Sequence, residues 1–312
     1  MEKQTIRIGS RGSKLALWQA EWVQSQLQSQ GIAVEIQIIK TKGDKILDVP
    51  LAKVGGKGLF VKEIEDAFLG NEIDLAVHSM KDMPGEMPEG LQIGAIPERE
   101  DPRDAVIARE GVSLDALPEG ACVGTSSLRR QAQLLALRPD FKIVSLRGNI
   151  DTRLRKLKAG AFDAILLAAA GLRRLGWGDE ITETLAPRRF LPAIAQGALC
   201  IQTRTDDAKT NSLIRFLNHP ETAAAVTAER AMLARLEGGC QVPIAGHATL
   251  SGDQILLEGW VASLDGKEII RESRRAPVSG AAALGVSVAE SLLEKGAAPI
   301  LAAIYSAGSG GA

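Results

Sequence analysis

The 312-residue sequence predicts an α/β protein built from two similar lobes and a smaller C-terminal α+β domain. Strand and helix patterns alternate through the first two thirds of the chain, which is typical of βαβ units and mainly parallel sheets. The polar stretch 98–103 interrupts this alternation, and the pattern then restarts. In the last third, strand patterns gather between two helical ones. We predict a first lobe from residues 1–98 and 193–216, a second lobe from 103–192 and a third domain from 217–312.

The first lobe opens with a strand, a Ser-Arg-Gly-Ser loop, a helix and a second strand, at 5–9, 10–13, 14–30 and 34–39. The helix has one broad apolar face, and Gly31 suits the position just after its end. Residues 41–60 form a long stretch rich in glycine and lysine, which predicts a lid over an anionic ligand. A helix at 61–69, a strand at 74–77 and a loop at 78–84 follow.

The second lobe repeats the strand-to-helix pattern, with strands at 122–124, 142–145 and 164–168. Residues 192–201 predict a strand that returns to the first lobe. The third domain begins with an Ala-rich helix that ends at Gly238-Gly239. Its remaining elements are three strands and a helix, near 244–250, 254–262, 268–275 and 281–295.

Charge is unevenly distributed although the total is almost zero. The chain has 37 basic and 38 acidic residues, for a formal net charge of −1. Residues 123–193 alone hold 13 basic and 6 acidic side chains, so this segment carries +7 and the rest of the chain −8. A total near zero and only 4% aromatic residues argue against a nucleic-acid-binding protein. RNA binding by the basic segment is an alternative that no recognised motif supports.

The sequence shows no signal of export, membrane insertion or metal binding. No run of about 18 uncharged apolar residues occurs, and the first ten residues have no apolar signal-peptide region, so we expect a cytoplasmic protein without a membrane partner. Cys122, Cys200 and Cys240 lie far apart and lack CxxC spacing, which argues against disulfides and structural zinc. The three histidines show no metal-ligand spacing, so no metal is expected.

Two strand-to-helix junctions have the composition of anion sites. Ser10-Arg-Gly-Ser13 follows the first strand, and Gly124-Thr-Ser-Ser-Leu-Arg-Arg130 follows a strand of the second lobe. Backbone N–H groups at a helix start, hydroxyls and arginines bind carboxylates or phosphates, although a single serine there is more often only a helix cap. Arg147, Arg153 and Arg174 also fall at element ends, which indicates a ligand with several negative charges. The absence of a P-loop or dinucleotide motif argues against a nucleotide.

Asp82 and Cys240 are candidates for chemistry. Asp82 follows a strand beside Lys81, where it is either a loop salt bridge or cap, or a carboxylate that stabilises a developing cation or moves a proton. Cys240 lies in a Gly-flanked loop, where a thiol is usable as an attachment point. Cys122 and Cys200 fall in strand patterns and are interpreted as small buried hydrophobes.

Six motifs together resemble those of the porphobilinogen deaminase family, and they are Ile6–Ala20, Val54–Phe60, His78–Asp82, Gly124–Arg130, Arg147-Gly-Asn149 and Glu237–Pro243. The resemblance covers nearly the whole chain, in order. It implies two lobes of the type II periplasmic-binding-protein kind, a third domain, and a dipyrromethane cofactor attached covalently to Cys240. It also implies a transferase that joins four porphobilinogen molecules head to tail with loss of ammonia, and then releases hydroxymethylbilane by hydrolysis. A monomer without a metal is expected.

The resemblance assigns a role to each matching residue. Asp82 is the expected catalytic residue, and it hydrogen-bonds the pyrrole N–H. The residues expected to hold the cofactor with Asp82 and Cys240 are Ser79, Lys81, Thr125, Ser127, Arg129, Arg130, Arg147 and Gly148. The substrate contacts are expected from Arg11, Ser13, Arg147, Arg153, Arg174 and Gln196, with Arg7 and Arg155 left open. The lid is expected to act through Lys53, Lys57 and Phe60.

A second hypothesis is a non-catalytic, two-lobed binding protein for a small anion. It explains the lobes and the arginines, but it explains neither the third domain nor Asp82 nor the Gly-flanked thiol of Cys240. The sequence departs from the family pattern at Ala195, where many relatives are expected to have glycine, and this departure concerns only the local backbone geometry.

Overall fold

The computed structural model describes residues 5–41, 61–236 and 242–309, with side chains described up to residue 306. These residues form two compact units. The first contains 5–41, 61–100 and 198–223, and the second contains the remaining described residues from 101 onward. The prediction of three separate domains with the boundaries given above stays a prediction.

Strands and helices alternate along the described chain as the sequence predicts. The strands are β1 (Ile6–Ser10), β2 (Val34–Ile38), β3 (Leu75–Ser79), β4 (Leu91–Ala95), β5 (Asp104–Ala108), β6 (Cys122–Gly124), β7 (Lys142–Val144), β8 (Ala164–Ala168), β9 (Glu183–Thr184), β10 (Leu199–Arg204), β11 (Ile244–Ser251), β12 (Gln254–Ala262) and β13 (Ile269–Pro277). The helices are α1 (Lys14–Ser29), α2 (Lys62–Leu69), α3 (Leu128–Leu137), α4 (Ile150–Lys158), α5 (Ala169–Arg174), α6 (Ala208–Ile214), α7 (Pro220–Arg235), α8 (Ala281–Leu292) and α9 (Ala298–Ser309).

The first unit is built on a five-stranded sheet with the order β2-β1-β3-β10-β4. β1 is parallel to β2 and β3, whereas β10 is antiparallel to both β3 and β4. Four of the five strands therefore run in one direction. β10 is the predicted return strand, although it begins later than the 192–201 pattern indicated. Because β1 and β3 are parallel neighbours, the loops that follow them emerge at the same sheet edge.

The second unit repeats this arrangement in a sheet with the order β7-β6-β8-β5-β9. β6 is parallel to β7 and β8, and β5 is the strand that runs the opposite way. Along β8, Leu166 packs in one core cluster and Ile165 in another, so both faces of the sheet are covered. The prediction of an α/β protein with two similar lobes and mainly parallel sheets is confirmed.

The C-terminal part of the second unit is an antiparallel sheet, β11-β12-β13, packed against helices. Glycine lets the sheet pack closely against α7, because a Cβ at Gly246 or Gly259 would lie 2.5 Å or 2.7 Å from the Met232 side chain, which would then have to move. The three predicted strands are present. The helix predicted at 281–295 is present as α8 and the helical residues 293–295 that follow it, and Gly296, with φ of +108°, separates it from a second helix, α9, which was not predicted.

The sequence prediction was wrong in the segment 78–84. His78 and Ser79 belong to β3, where β10 pairs with them, and a 3₁₀ turn at Met80–Asp82 follows. Strands β4 and β5 were also missed, because each is short and follows a polar segment. No helix in the part of the chain that the structure describes is long and apolar enough to cross a bilayer. The described residues likewise contain no group of three His, Cys, Asp or Glu side chains that could hold a metal ion.

Candidate active site

A cavity in the first unit lies where the ends of β1 and β3 meet. Four of the predicted site residues line it, and they are Arg11, Ser13, Ser79 and Asp82. The loop after β1 supplies the first two, and the end of β3 with its 3₁₀ turn supplies the others. Lys81 is half-buried and does not line the cavity. The parallel pairing of β1 and β3 is therefore what brings these distant sequence positions together.

Ser13 and Asp82 are fixed by their local backbone. Ser13 is the N-cap of α1, and its Oγ accepts a hydrogen bond from the Ala16 N–H at 3.3 Å, so the capping interpretation holds for this serine. Asp82 closes a 3₁₀ turn in which Met83 N–H donates to the Met80 carbonyl, and both methionine side chains are buried. The carboxylate of Asp82 is exposed at the cavity.

Gln19 and His78 line the same cavity and were missed as site residues. Gln19 is 2% exposed, and its Nε2 donates to Ser79 Oγ at 2.9 Å, which orients that hydroxyl. The signal for Gln19 was a carboxamide in the middle of the apolar face of α1. His78 Nε2 lies 2.9 Å from Oε1 of the fully buried Gln202. Burial lowers the pKa of His78 to about 4, helped by the charge of Arg11 and opposed by the Gln202 hydrogen bond.

In the second unit, the hydroxyls of Thr125 and Ser127 bond to the backbone at the start of α3. Thr125 Oγ1 accepts from Ser127 N–H at 3.1 Å, and Ser127 Oγ accepts from Arg130 N–H at 3.4 Å. Ser127 is thus the N-cap of this helix. These contacts hold the first turn of α3, and with it the two arginines that follow, in a fixed position.

Arg129 and Arg130 are buried around one carboxylate, which differs from the expectation of cations open to a ligand. Arg129 donates to both oxygens of Asp104 at 2.8 and 3.0 Å, and Arg130 Nε donates at 2.8 Å. Asp104 is fully buried, and burial lowers the pKa of Arg130. The physical reason is that the buried carboxylate of Asp104 attracts both guanidinium groups, and the strand that carries it, β5, was not predicted. Two guanidinium groups against one carboxylate leave an excess of one positive charge.

Arg147, Gly148 and Arg153 lie together after β7. Gly148 has φ of +111°, and a Cβ there would lie 2.7 Å from Thr152 Cγ2, so glycine is required. The carbonyl of Gly148 accepts from Arg153 Nε at 2.7 Å, which ties this arginine to the loop. Arg147 is half-buried beside it. Arg155, left open by the sequence, is exposed and donates to Thr152 Oγ1 at 3.3 Å.

Arg174 and Gln196 are buried and bonded to backbone carbonyls. Arg174 Nη2 donates to the Gly197 carbonyl and Gln196 Nε2 to the Pro102 carbonyl, each at 2.7 Å. Ala195 has φ of +56°, a region that favours glycine, which answers the question raised by its departure from the family pattern. Its N–H donates to the buried carboxylate of Glu229 at 2.5 Å.

The remaining candidates divide into three groups. Arg7 forms a bidentate ion pair with Asp74 and is a structural residue. Cys200 is fully buried as predicted, whereas Cys122 is partly exposed, and burial followed by the charge of Asp163 raises the pKa of its thiol. Four of the predicted site residues lie outside the described part of the chain, and they are Lys53, Lys57, Phe60 and Cys240.

The fold and these sites define an α/β protein whose lobes both place polar and cationic side chains at strand ends. Two family models match the chain, "Porphobilinogen deaminase, dipyromethane cofactor binding domain" at residues 6–212 and "Porphobilinogen deaminase, C-terminal domain" at 223–294. Porphobilinogen deaminase from Geobacter metallireducens is 58% identical over 98% of this chain and 96% of that protein. The one from Syntrophobacter fumaroxidans is 57% identical over 98% of this chain and 100% of its own length. The chain belongs to the porphobilinogen deaminase family.

Solved structures with some likeness include bacterial substrate-binding proteins. The methionine binding protein MetQ is 16% identical, with a TM-score of 0.41 over 67% of this chain and 87% of that one. A periplasmic substrate-binding protein of an ABC transporter from Coxiella burnetii is 14% identical, with a TM-score of 0.43 over 70% of this chain and 94% of that one.

Proposed function

We propose that this protein is a porphobilinogen deaminase, a transferase of tetrapyrrole biosynthesis. It joins four molecules of porphobilinogen head to tail with loss of ammonia and releases hydroxymethylbilane by hydrolysis. The observation that carries the proposal is the family match over nearly the full length of the chain. The expected monomeric state, the cytoplasmic location and the three-domain division belong to the same proposal.

The dipyrromethane cofactor of the family is proposed to attach through a thioether to Cys240. When bound, it supplies the primer to which the substrate units are joined. The residues of the second unit fit such a polycarboxylate, because Arg129 and Arg130 exceed the charge of Asp104 by one. Arg129 Nε is buried without a hydrogen-bond partner among the residues that the structure describes, which leaves one donor for a ligand. Thr125 and Ser127 are proposed to act beside them through the helix start that they form.

Asp82 is proposed as the catalytic residue. Its carboxylate is exposed at the cavity, on a turn anchored by two buried methionines. When the aminomethyl nitrogen of porphobilinogen leaves as ammonia, positive charge develops on the pyrrole ring. A carboxylate held next to that ring stabilises the charge more in the transition state than in the ground state, which is the condition for catalysis. Ser79 and Lys81 are proposed to hold carboxylates at the same end of β3.

The substrate carboxylates are proposed to bind the arginines at the strand ends, Arg11, Arg147 and Arg153. Guanidinium groups suit this role because they bind carboxylates in a bidentate manner. Ser13, the N-cap of α1, is proposed to bind the substrate beside Arg11 at the same cavity. Arg174 and Gln196 bond to backbone carbonyls, and their proposed role is to shape the binding surface. Lys53, Lys57 and Phe60 are proposed as the lid from the sequence resemblance alone.

The proposal is tested by turnover. Purified protein is incubated with porphobilinogen, and ammonia and the linear tetrapyrrole are measured together. We expect four ammonia molecules for each tetrapyrrole, and a fall of about 100-fold in kcat for Asp82→Asn with unchanged folding. Asp206→Asn, which changes an exposed carboxylate of the same unit, is the control and should turn over normally. A wild-type protein that consumes no porphobilinogen would refute the function, and near-normal kcat for Asp82→Asn would refute the role of Asp82.

A further inference from the structure

A buried line of polar side chains runs from the cavity across the sheet of the first unit. His78 on β3 pairs with Cys200 on β10, so the side chain of Gln202, two residues further along β10, lies diagonally beside His78 on the same face. His78 is 7% exposed and Gln202 is fully buried. His78 Nε2 and Gln202 Oε1 lie 2.9 Å apart and form a hydrogen bond that is shielded from water.

The orientation of Gln202 determines which ring nitrogen of His78 carries the proton. Gln202 also interacts with Glu65 on α2, where burial raises the pKa of the carboxyl and the Gln202 contact lowers it. That contact lacks full hydrogen-bond geometry, since Gln202 Nε2 and Glu65 Oε1 are both buried without a well-formed bond. A carboxylate nevertheless favours the amide NH₂ on its side, so the amide oxygen faces His78. Nε2 therefore carries the proton, and Nδ1 is a bare acceptor.

The ring is also held neutral. Burial and the nearby charge of Arg11 keep the pKa of His78 at about 4, so the imidazole carries no charge at neutral pH. Among the described residues, Nδ1 of His78 has no hydrogen-bond partner, and the residue lines the cavity together with Arg11 and Asp82. The cavity thus contains a fixed, neutral acceptor that is close enough to Arg11 for its charge to act on the ring.

We propose that His78 binds the aminomethyl ammonium group of the substrate through Nδ1, and that ammonia leaves on this side of the cavity. This inference rests on the proposed function. The carbon–nitrogen bond breaks with both electrons passing to nitrogen, which departs as neutral ammonia and leaves the positive charge on the methylene-pyrrole unit. The leaving nitrogen loses its charge in this step, while the ring gains it.

The two sides of the cavity suit this movement of charge. A carboxylate paired with the ammonium would stabilise the ground state and raise the barrier to departure, because its attraction is lost as the charge leaves the nitrogen. A neutral imidazole orients the N–H bond without that cost. The charge of Arg11, which reaches His78, further favours departure of a neutral molecule. Asp82 is the carboxylate available to the ring, where the charge arrives.

Two variants of the holoenzyme separate the acceptor from its anchor. Asn at position 78 places an amide atom near Nδ1, whereas Gln places one near Nε2 and keeps the bond to Gln202. We expect kcat/KM for porphobilinogen to fall about 10-fold or more in His78→Gln and about 3-fold or less in His78→Asn. A competitive analogue with methyl in place of aminomethyl should keep its inhibition constant within about 2-fold in both variants. Equal losses in both variants together with weaker binding of the analogue would refute the proposal, as would normal kcat/KM in His78→Gln.

A measurement on the wild-type holoenzyme covers the case in which a variant fails to fold. Nitrogen-15 NMR of the histidine side chains should show His78 as the neutral tautomer with a proton on Nε2. Adding 2-(aminomethyl)pyrrole should shift the Nδ1 resonance, and adding 2-methylpyrrole should not. The opposite tautomer, or equal responses to both compounds, would overturn the assignment. Failure of the proposed function itself would be seen separately, as a wild-type protein without turnover.

Discussion

Replacing Asp104 with asparagine tests the cluster that anchors the second sheet to helix α3. Asp104 is fully buried on β5, and it accepts three hydrogen bonds of 2.8 to 3.0 Å from Arg129 and Arg130. Arg129 and Arg130 are themselves only 4% and 6% exposed. Asparagine has nearly the same volume, so the substitution removes the negative charge and one acceptor oxygen while it leaves the packing intact.

The size of the stability loss expected for Asp104→Asn follows from the burial of the ion pairs. Removing one partner of a buried ion pair typically costs about 3–5 kcal/mol, because the remaining charge stays buried without compensation. Here two cations remain, and the amide NH₂ of asparagine also opposes one of the guanidinium donors. The arginines keep two contacts with backbone carbonyls, Arg129 with Leu191 and Arg130 with Leu166. These contacts offset only part of the free energy lost with the carboxylate. We therefore expect Asp104→Asn to lower the free energy of unfolding by about 3–5 kcal/mol.

Urea unfolding followed by tryptophan fluorescence and circular dichroism measures this loss. The matched control is Glu180→Gln, which breaks the surface pair between Glu180 and Lys158, whose side chains are 33% and 62% exposed. We expect that change to cost less than about 0.5 kcal/mol. A loss below about 1 kcal/mol for Asp104→Asn would refute the interpretation that the buried carboxylate compensates the two arginines.

Two further predictions concern backbone strain and pH. Gly148→Ala should destabilise the protein by about 1–3 kcal/mol in thermal unfolding, because of its positive φ and the clash with the neighbouring threonine, whereas Gly178→Ala, which meets no atom within 4 Å, should change little. A hydrogen bond from Ser291 and then one from Lys295 lower the pKa of Glu272 from 4.5 to about 2. A lowered carboxyl pKa stabilises the folded state above the unfolded pKa, so this stability is lost as pH falls from about 5 to 2. Urea midpoints of wild type and Glu272→Gln should therefore differ at neutral pH and converge near pH 2, and a constant difference would contradict the assignment.

Local patterns predicted those elements that alternate clearly between apolar and polar residues. The strands β11, β12 and β13 fall within about two residues of their predicted limits, because one face packs on helices and the other is polar. The predicted helix 281–295 ends where Gly296 breaks the helical backbone, whereas the helix α9 after it was not predicted. β5 was missed because Asp104 continues a polar segment. The two arginines that bind Asp104 lie 25 and 26 residues away in the sequence, on α3, and no local pattern reveals this contact.

The candidate site was predictable where a motif carried it, and not where its residues act through long-range contacts. Arg11, Ser79 and Asp82 were named from the sequence, and the structure places them at one cavity. Gln19 and His78 were not, because a glutamine on an apolar helix face and a histidine in a strand gain meaning only from their partners. Those partners lie 60 and 124 residues away in the sequence.

Intact-mass measurement of the purified protein most directly tests whether this chain assembles and uses a covalent dipyrromethane. The wild-type mass should exceed that of the polypeptide by two linked pyrroles, and it should rise by single pyrrole units when porphobilinogen is added. The excess should vanish in Cys240→Ser and persist in Cys122→Ser, which changes a partly exposed thiol elsewhere in the chain. An unmodified wild-type chain that nevertheless converts porphobilinogen, or an excess that survives Cys240→Ser, would contradict the account.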